Sequence, residues 1–74
     1  MKISHISRKV NETDCLTHFL HLKDAADRLH IVNLLTIQDV EFQTDKAYIH
    51  TTKYVFTVTD EKELADLRRF FQVL

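Results

Sequence analysis

The sequence predicts an α+β domain: a β-α-β-β-α two-layer unit in which two helices cover a small antiparallel sheet. Three observations predict it. The C-terminal end carries an amphipathic helix pattern, a long β-branched and aromatic run precedes it, and the first half holds a helix-favouring stretch behind a cap-like cluster.

Residues 2–9, Lys-Ile-Ser-His-Ile-Ser-Arg-Lys, read as a first strand. Asn11-Glu12-Thr13-Asp14 then resembles a helix start. Leu16, Phe19, Leu20, Ala26 and Leu29 fall near helical spacing, and Asp24-Ala25-Ala26-Asp27-Arg28-Leu29 favours helix, so the expectation is a helix over about 14–35. A rival reading takes Cys15–Leu22 as a strand, because Leu16, Leu20 and Leu22 share one alternating face.

Ile37–Thr44 sets Val40 and Phe42 in alternation with Asp39 and Glu41, a strand pattern, and Thr44-Asp45-Lys46 turns the chain back. Ala47–Thr59 is rich in Tyr, Ile, Thr, Val and Phe. As one strand it places Tyr48, His50, Thr52, Tyr54, Phe56 and Val58 on one face and Ala47, Ile49, Thr51, Lys53, Val55 and Thr57 on the other. It would run for roughly 43 Å, long for so small a domain.

The last element is a helix over 60–73. Asp60 is its N-cap, with Glu63 three residues on completing a capping-box pattern. Asp60, Glu61 and Glu63 suit the positive end of the helix dipole, and Arg68 and Arg69 lie toward the other end. Leu64, Leu67, Phe71 and Leu74 form the buried stripe, widened by Ala65, Phe70 and Val73.

The chain of 74 residues contains no glycine, no proline, no tryptophan and a single cysteine. Without glycine there is no dinucleotide fingerprint, no Walker A loop and no nucleophile elbow, each of which needs backbone that glycine alone supplies cheaply. A lone Cys15 excludes an internal disulfide and a Cys-only metal cage, and fits a reducing compartment. No apolar run nears the roughly 18 residues of a membrane span. The start Met1-Lys2-Ile3-Ser4-His5 lacks a signal-peptide core. A complete, cytoplasmic small gene product is the expectation.

Ten basic and eleven acidic residues give a net charge of −1, without the basic excess of a generic polyanion binder. Residues 36–74 carry seven acids and five bases, a small acidic bias. Asp60, Glu61, Glu63 and Asp66 are the candidate acidic patch, a face that would compete with nucleic acid for a basic partner. A helix start enriched in acids explains most of that patch without any function.

Four of the five histidines, His5, His18, His21 and His30, lie in the first thirty residues. On a helix Cys15 with His18, or His18 with His21, would offer two metal ligands, and His30 or Asp14 would have to close the site. The motifs of structural zinc are absent, so no metal and no cofactor are expected. Cys15 has no visible third group to orient a base and reads as a packing residue, not a nucleophile.

Lys2, Arg8 and Lys9, with Arg68 and Arg69, form two small basic groups, and Tyr48 and Tyr54 offer aromatic faces on a strand. Together they support a nucleic-acid-binding regulator as the second reading. The leading reading comes from size. A chain this short gains little more from apolar burial than it loses in conformational entropy, and with neither disulfide nor metal its usual support is another chain. The apolar end Phe70-Phe71-Gln72-Val73-Leu74 strengthens this, because two adjacent phenylalanines on a helix point about 100° apart and one sheet face does not bury both. The expectation is a non-enzymatic homodimer that occupies a surface of a larger protein as a regulator or inhibitor. Its contact residues would be Phe70, Phe71, Val73, Leu74, Tyr48 and Tyr54.

Overall fold

A computed structural model describes residues 1–71. The element order is β1 (Lys2–Val10), β2 (Thr13–Lys23), β3 (Leu29–Asn33), a single 3-10 turn (Leu34–Thr36), β4 (Ile37–Phe42), β5 (Ala47–Thr51), β6 (Val55–Val58) and α1 (Glu61–Phe71). The strands form two antiparallel meanders, β1-β2-β3 and β4-β5-β6. The predicted two-helix α+β layer is therefore wrong: the molecule is mainly β, with one α-helix among the described residues.

The failure lies in residues 14–35. Asn11 and Glu12 do not cap a helix. Both adopt positive φ, 51° and 65°, and form the two-residue turn between β1 and β2. Mirror-image hairpin turns need that conformation, which usually falls to Asn-Gly. The Asp24-Ala25-Ala26-Asp27 segment is also a turn. Asp27 N–H donates to the Asp24 carbonyl at 3.0 Å and Asp27 takes φ 63°. The apparent helical stripe mixed two sheet faces: Phe19 lies on the face opposite Leu16, Leu20 and Leu22. The rival strand reading of Cys15–Leu22 matches β2.

Residues 47–59 are likewise two strands rather than one. The Thr51 hydroxyl donates to the Tyr54 carbonyl at 2.8 Å and accepts from Tyr54 N–H, which folds the chain back. The turn reverses the expected facing. Ala47 and Ile49 are buried and pair with Val58 and Phe56, whereas Tyr48 and His50 are only half-buried.

Among the described residues, nine buried apolar side chains from both sheets and the helix make one core: Leu20, Leu22 and Val32 from the first sheet, Ala47, Ile49, Phe56 and Val58 from the second, Leu64 and Leu67 from α1. Asp60 caps α1, its carboxylate accepting from Glu63 N–H at 3.0 Å. Glu63 does not reach back to complete a capping box. Its carboxylate accepts from the Met1 ammonium and, at 3.0 Å, from Lys23 N–H.

β3 covers only residues 19–23 of β2. Beyond that point β1 and β2 continue as a two-stranded ribbon from His5↔His18 to Val10↔Thr13, exposed on both sides apart from Thr17. The molecule measures 45 × 29 × 20 Å.

Candidate functional site

The best-organised surface lies where β3 and β6 meet the 24–28 turn. Asp24 builds it. One carboxylate oxygen accepts from Ala26 N–H at 2.9 Å and Arg28 N–H at 3.0 Å; the other accepts from Arg28 Nε at 3.1 Å and lies 2.7 Å from His30 Nε2. These contacts, the Arg28 backbone bond foremost and His30 next, hold the Asp24 carboxyl well below the usual carboxylate range. Both oxygens already have partners, so Asp24 shapes the turn and orients the His30 ring. Ala25 N–H then donates to the Thr57 carbonyl at 2.8 Å, tying the turn to β6.

His30 packs against Phe56 at a tilt, with ring centroids 4.3 Å apart, and Tyr54 meets Phe56 edge-on at 4.5 Å. A cleft of about 450 Å³ opens over these rings, lined also by Asp24, Arg28 and Val55. Tyr54 and Val55 line it, and Ile31 lines a second, smaller cleft that shares Tyr54. Leu29 is 63% exposed, Ile31 60%, Tyr54 54%, and Val55 is exposed as well. Leu29 and Ile31 share the outer face of the first sheet with Phe19 and, along the ribbon, Ile6 and Val10. None of these aliphatic residues was among the contact residues expected from the sequence. The available signal was Leu29-His30-Ile31-Val32, where apolar residues occupy both faces of a strand that has core on one side only.

The predicted contact residues are scattered. Tyr54 sits at the cleft. Tyr48 lies on β5 beneath Lys46, whose Nζ is 5.7 Å from the ring. Phe71 is half-buried against the core, and Phe70 is exposed and meets it edge-on at 4.8 Å. Val73 and Leu74 lie outside the described residues.

The acidic patch is partly committed to structure. Asp60 is the N-cap and Glu61 is exposed. Glu63 and Asp66 hold the Met1 ammonium, Asp66 Oδ2 at 3.2 Å. The Glu63 hydrogen bond is the main reason the amine is raised above its ordinary 8.0; burial opposes it and Asp66 adds to it.

The histidine series comes apart once residues 14–35 are strands. Cys15 and His21 lie on one face of β2 and His18 on the other. His18 faces His5 across the ribbon at 6.0 Å, His21 Nε2 is 2.7 Å from the Ser4 hydroxyl, and His30 belongs to Asp24. Among the described residues no three His, Cys, Asp or Glu side chains come together as a metal site. Cys15 is exposed opposite Arg8, not packed as expected.

The basic groups are also divided. Lys9 stands directly across from Asp14, while Arg8 points to the opposite face. Arg68 donates to the Gln43 carbonyl and lies 5.3 Å from the Phe42 ring, and Arg69 is 3.8 Å from Asp66. No helix among the described residues is long and apolar enough to cross a membrane. No family model, characterised protein or solved structure matches the chain.

Proposed function

We propose that the protein is a small non-catalytic interaction module, a dimeric regulator that occupies a surface of a larger protein. The observation that supports this reading is the group of exposed apolar side chains Ile31, Tyr54 and Val55, where Tyr54, just before β6, lines two clefts, one with Val55 and one with Ile31. Apolar side chains scattered singly over a surface need no explanation, but Ile31, Tyr54 and Val55, in two clefts joined at Tyr54 and lined also by Arg28, Asp24 and Lys53, have the make-up of a contact site. Tyr54 suits an anchor role: a rigid amphipathic ring, already braced by Phe56, loses little freedom on binding.

The test is paired affinity capture from cell lysate with the wild-type chain and with Ile31→Lys. Ile31 is exposed, so the substitution leaves the core intact. A dominant protein held by the wild type and lost by the variant is the expected result. Equal recovery by both, or salt-dependent retention of the wild type on a nucleic-acid column, overturns the assignment.

A further inference from the structure

The free edge of β1 supplies a second contact, and its own sequence selects the occupant. β1 is the outer strand of its sheet and runs nine residues without a proline or a break in register. Long, regular edges of this kind pair readily with another strand unless something blunts them. Two other strands are differently placed: the Thr57 carbonyl of β6 already accepts from Ala25 N–H, and Phe71 lines a cleft alongside β4.

The two-residue turn makes Val10 and Thr13 the hydrogen-bonded pair that closes the hairpin. Pairs alternate in an antiparallel ladder, so even-numbered β1 residues direct their backbone groups to β2. Ile3, His5, Ser7 and Lys9 direct theirs to the open edge. We infer that a second copy of this chain docks there, β1 against β1 and antiparallel, with Ile6 on the two-fold axis.

Symmetry and charge pick that register. In a two-fold antiparallel pair the residue on the axis must face itself, because the alternation of ladder pairs forbids an axis between residues. Centring on His5 sets Lys2 against Arg8, and centring on Arg8 or Lys9 sets like charges on themselves. Ile6 is the centre that engages all nine residues. Lys2 then faces Val10, Ile3 faces Lys9, Ser4 faces Arg8 and His5 faces Ser7, so no like charges meet.

The open-edge groups of the two copies supply about eight backbone hydrogen bonds. The exposed Ile6 side chains meet at the axis. The product is a continuous sheet with three strands from each copy. Lys9 of the second copy comes to the face and end of the sheet where Glu63 and Asp66 gather around Met1, a favourable placement of charge.

This inference rests on the dimeric reading above and is tested apart from partner capture. Sedimentation from low to high micromolar loading is expected to show a monomer–dimer equilibrium for the wild type. Ile6→Lys should sediment as a monomer throughout with an unchanged far-ultraviolet circular dichroism spectrum. In a Cys15→Ser background, Ile6→Cys should form a disulfide-linked dimer on mild oxidation, and Ser4→Cys, far from its own copy in this register, should not. A wild type that stays monomeric, a dimer indifferent to Ile6→Lys, or equal cross-linking at positions 4 and 6 overturns the pairing. A monomer that still captures its protein through Ile31 overturns the pairing alone, and a β1-paired dimer that captures nothing overturns the interaction surface alone.

Discussion

The two halves of β2 obey the same alternation and have opposite fates. Leu20 and Leu22 are completely covered, whereas Leu16, on the same face, is 54% exposed. The strand is continuous through all three, and Leu16 and Leu20 both pair with β1. What changes is the opposite layer. Over Leu20 and Leu22 lie the second sheet and α1; over Leu16 lies nothing among the described residues. Alternation decides which face a side chain takes, and only the presence of a second layer decides whether that face is buried.

The largest expected effect falls in the layered half. Leu67→Ala empties a fully buried site in the shared core and should cost about 2–5 kcal/mol, measured by urea unfolding. A cost as small as that of Leu16→Ala would erase the distinction between core and ribbon.

Next comes the Asp24 turn, which joins β2 to β3 and to β6. A carboxyl held low contributes stability above its unfolded value of 3.8 and loses it as pH falls below that value. Asp24→Asn should therefore flatten the acid limb of the stability profile and lower the melting temperature at neutral pH. The Met1 ammonium has the opposite sign. Its raised value makes its contribution complete below pH 8.0 and lost as pH rises through the folded value, and Glu63→Gln should weaken that alkaline decline.

The ribbon tip gives a smaller effect, and a gain. Glu12 holds φ 65° without being glycine, so Glu12→Gly should stabilise the hairpin by about 1 kcal/mol, visible as slower amide exchange along residues 5–18. The smallest effect is that of Leu16→Ala itself, expected within about 0.5 kcal/mol by the same unfolding measurement as Leu67→Ala.

The C-terminal helix and strands β1 and β4 were legible in the sequence because each carries its own signals. Asp60 caps, Leu64 and Leu67 keep helical spacing, and Val40 and Phe42 alternate with acids. The segment 11–35 was not, for a reason tied to composition. Its turns are made by Asn11, Glu12 and Asp27, all in the conformation that glycine normally announces. With no glycine or proline to punctuate it, a strand–turn–strand segment containing Ala25 and Ala26 imitates a helix. The same gap hid the break at Thr52-Lys53, where Thr51 and Tyr54 close the turn through a hydroxyl. Of the surface around the cleft, only Tyr54 was legible. Leu29, Ile31 and Val55 look like core until the turns that reverse their neighbours are known.

The convergence on Glu63 sets an order of assembly. One carboxylate receives the Met1 ammonium and the Lys23 backbone, 62 and 40 positions earlier in the chain. The hairpins are local and can form as they are made, but this contact waits until α1 exists. During vectorial synthesis Leu20, Leu22 and Ile49 stay partly open to water until α1 emerges to complete the core around them. That interval makes the nascent chain most vulnerable to aggregation and to capture by chaperones.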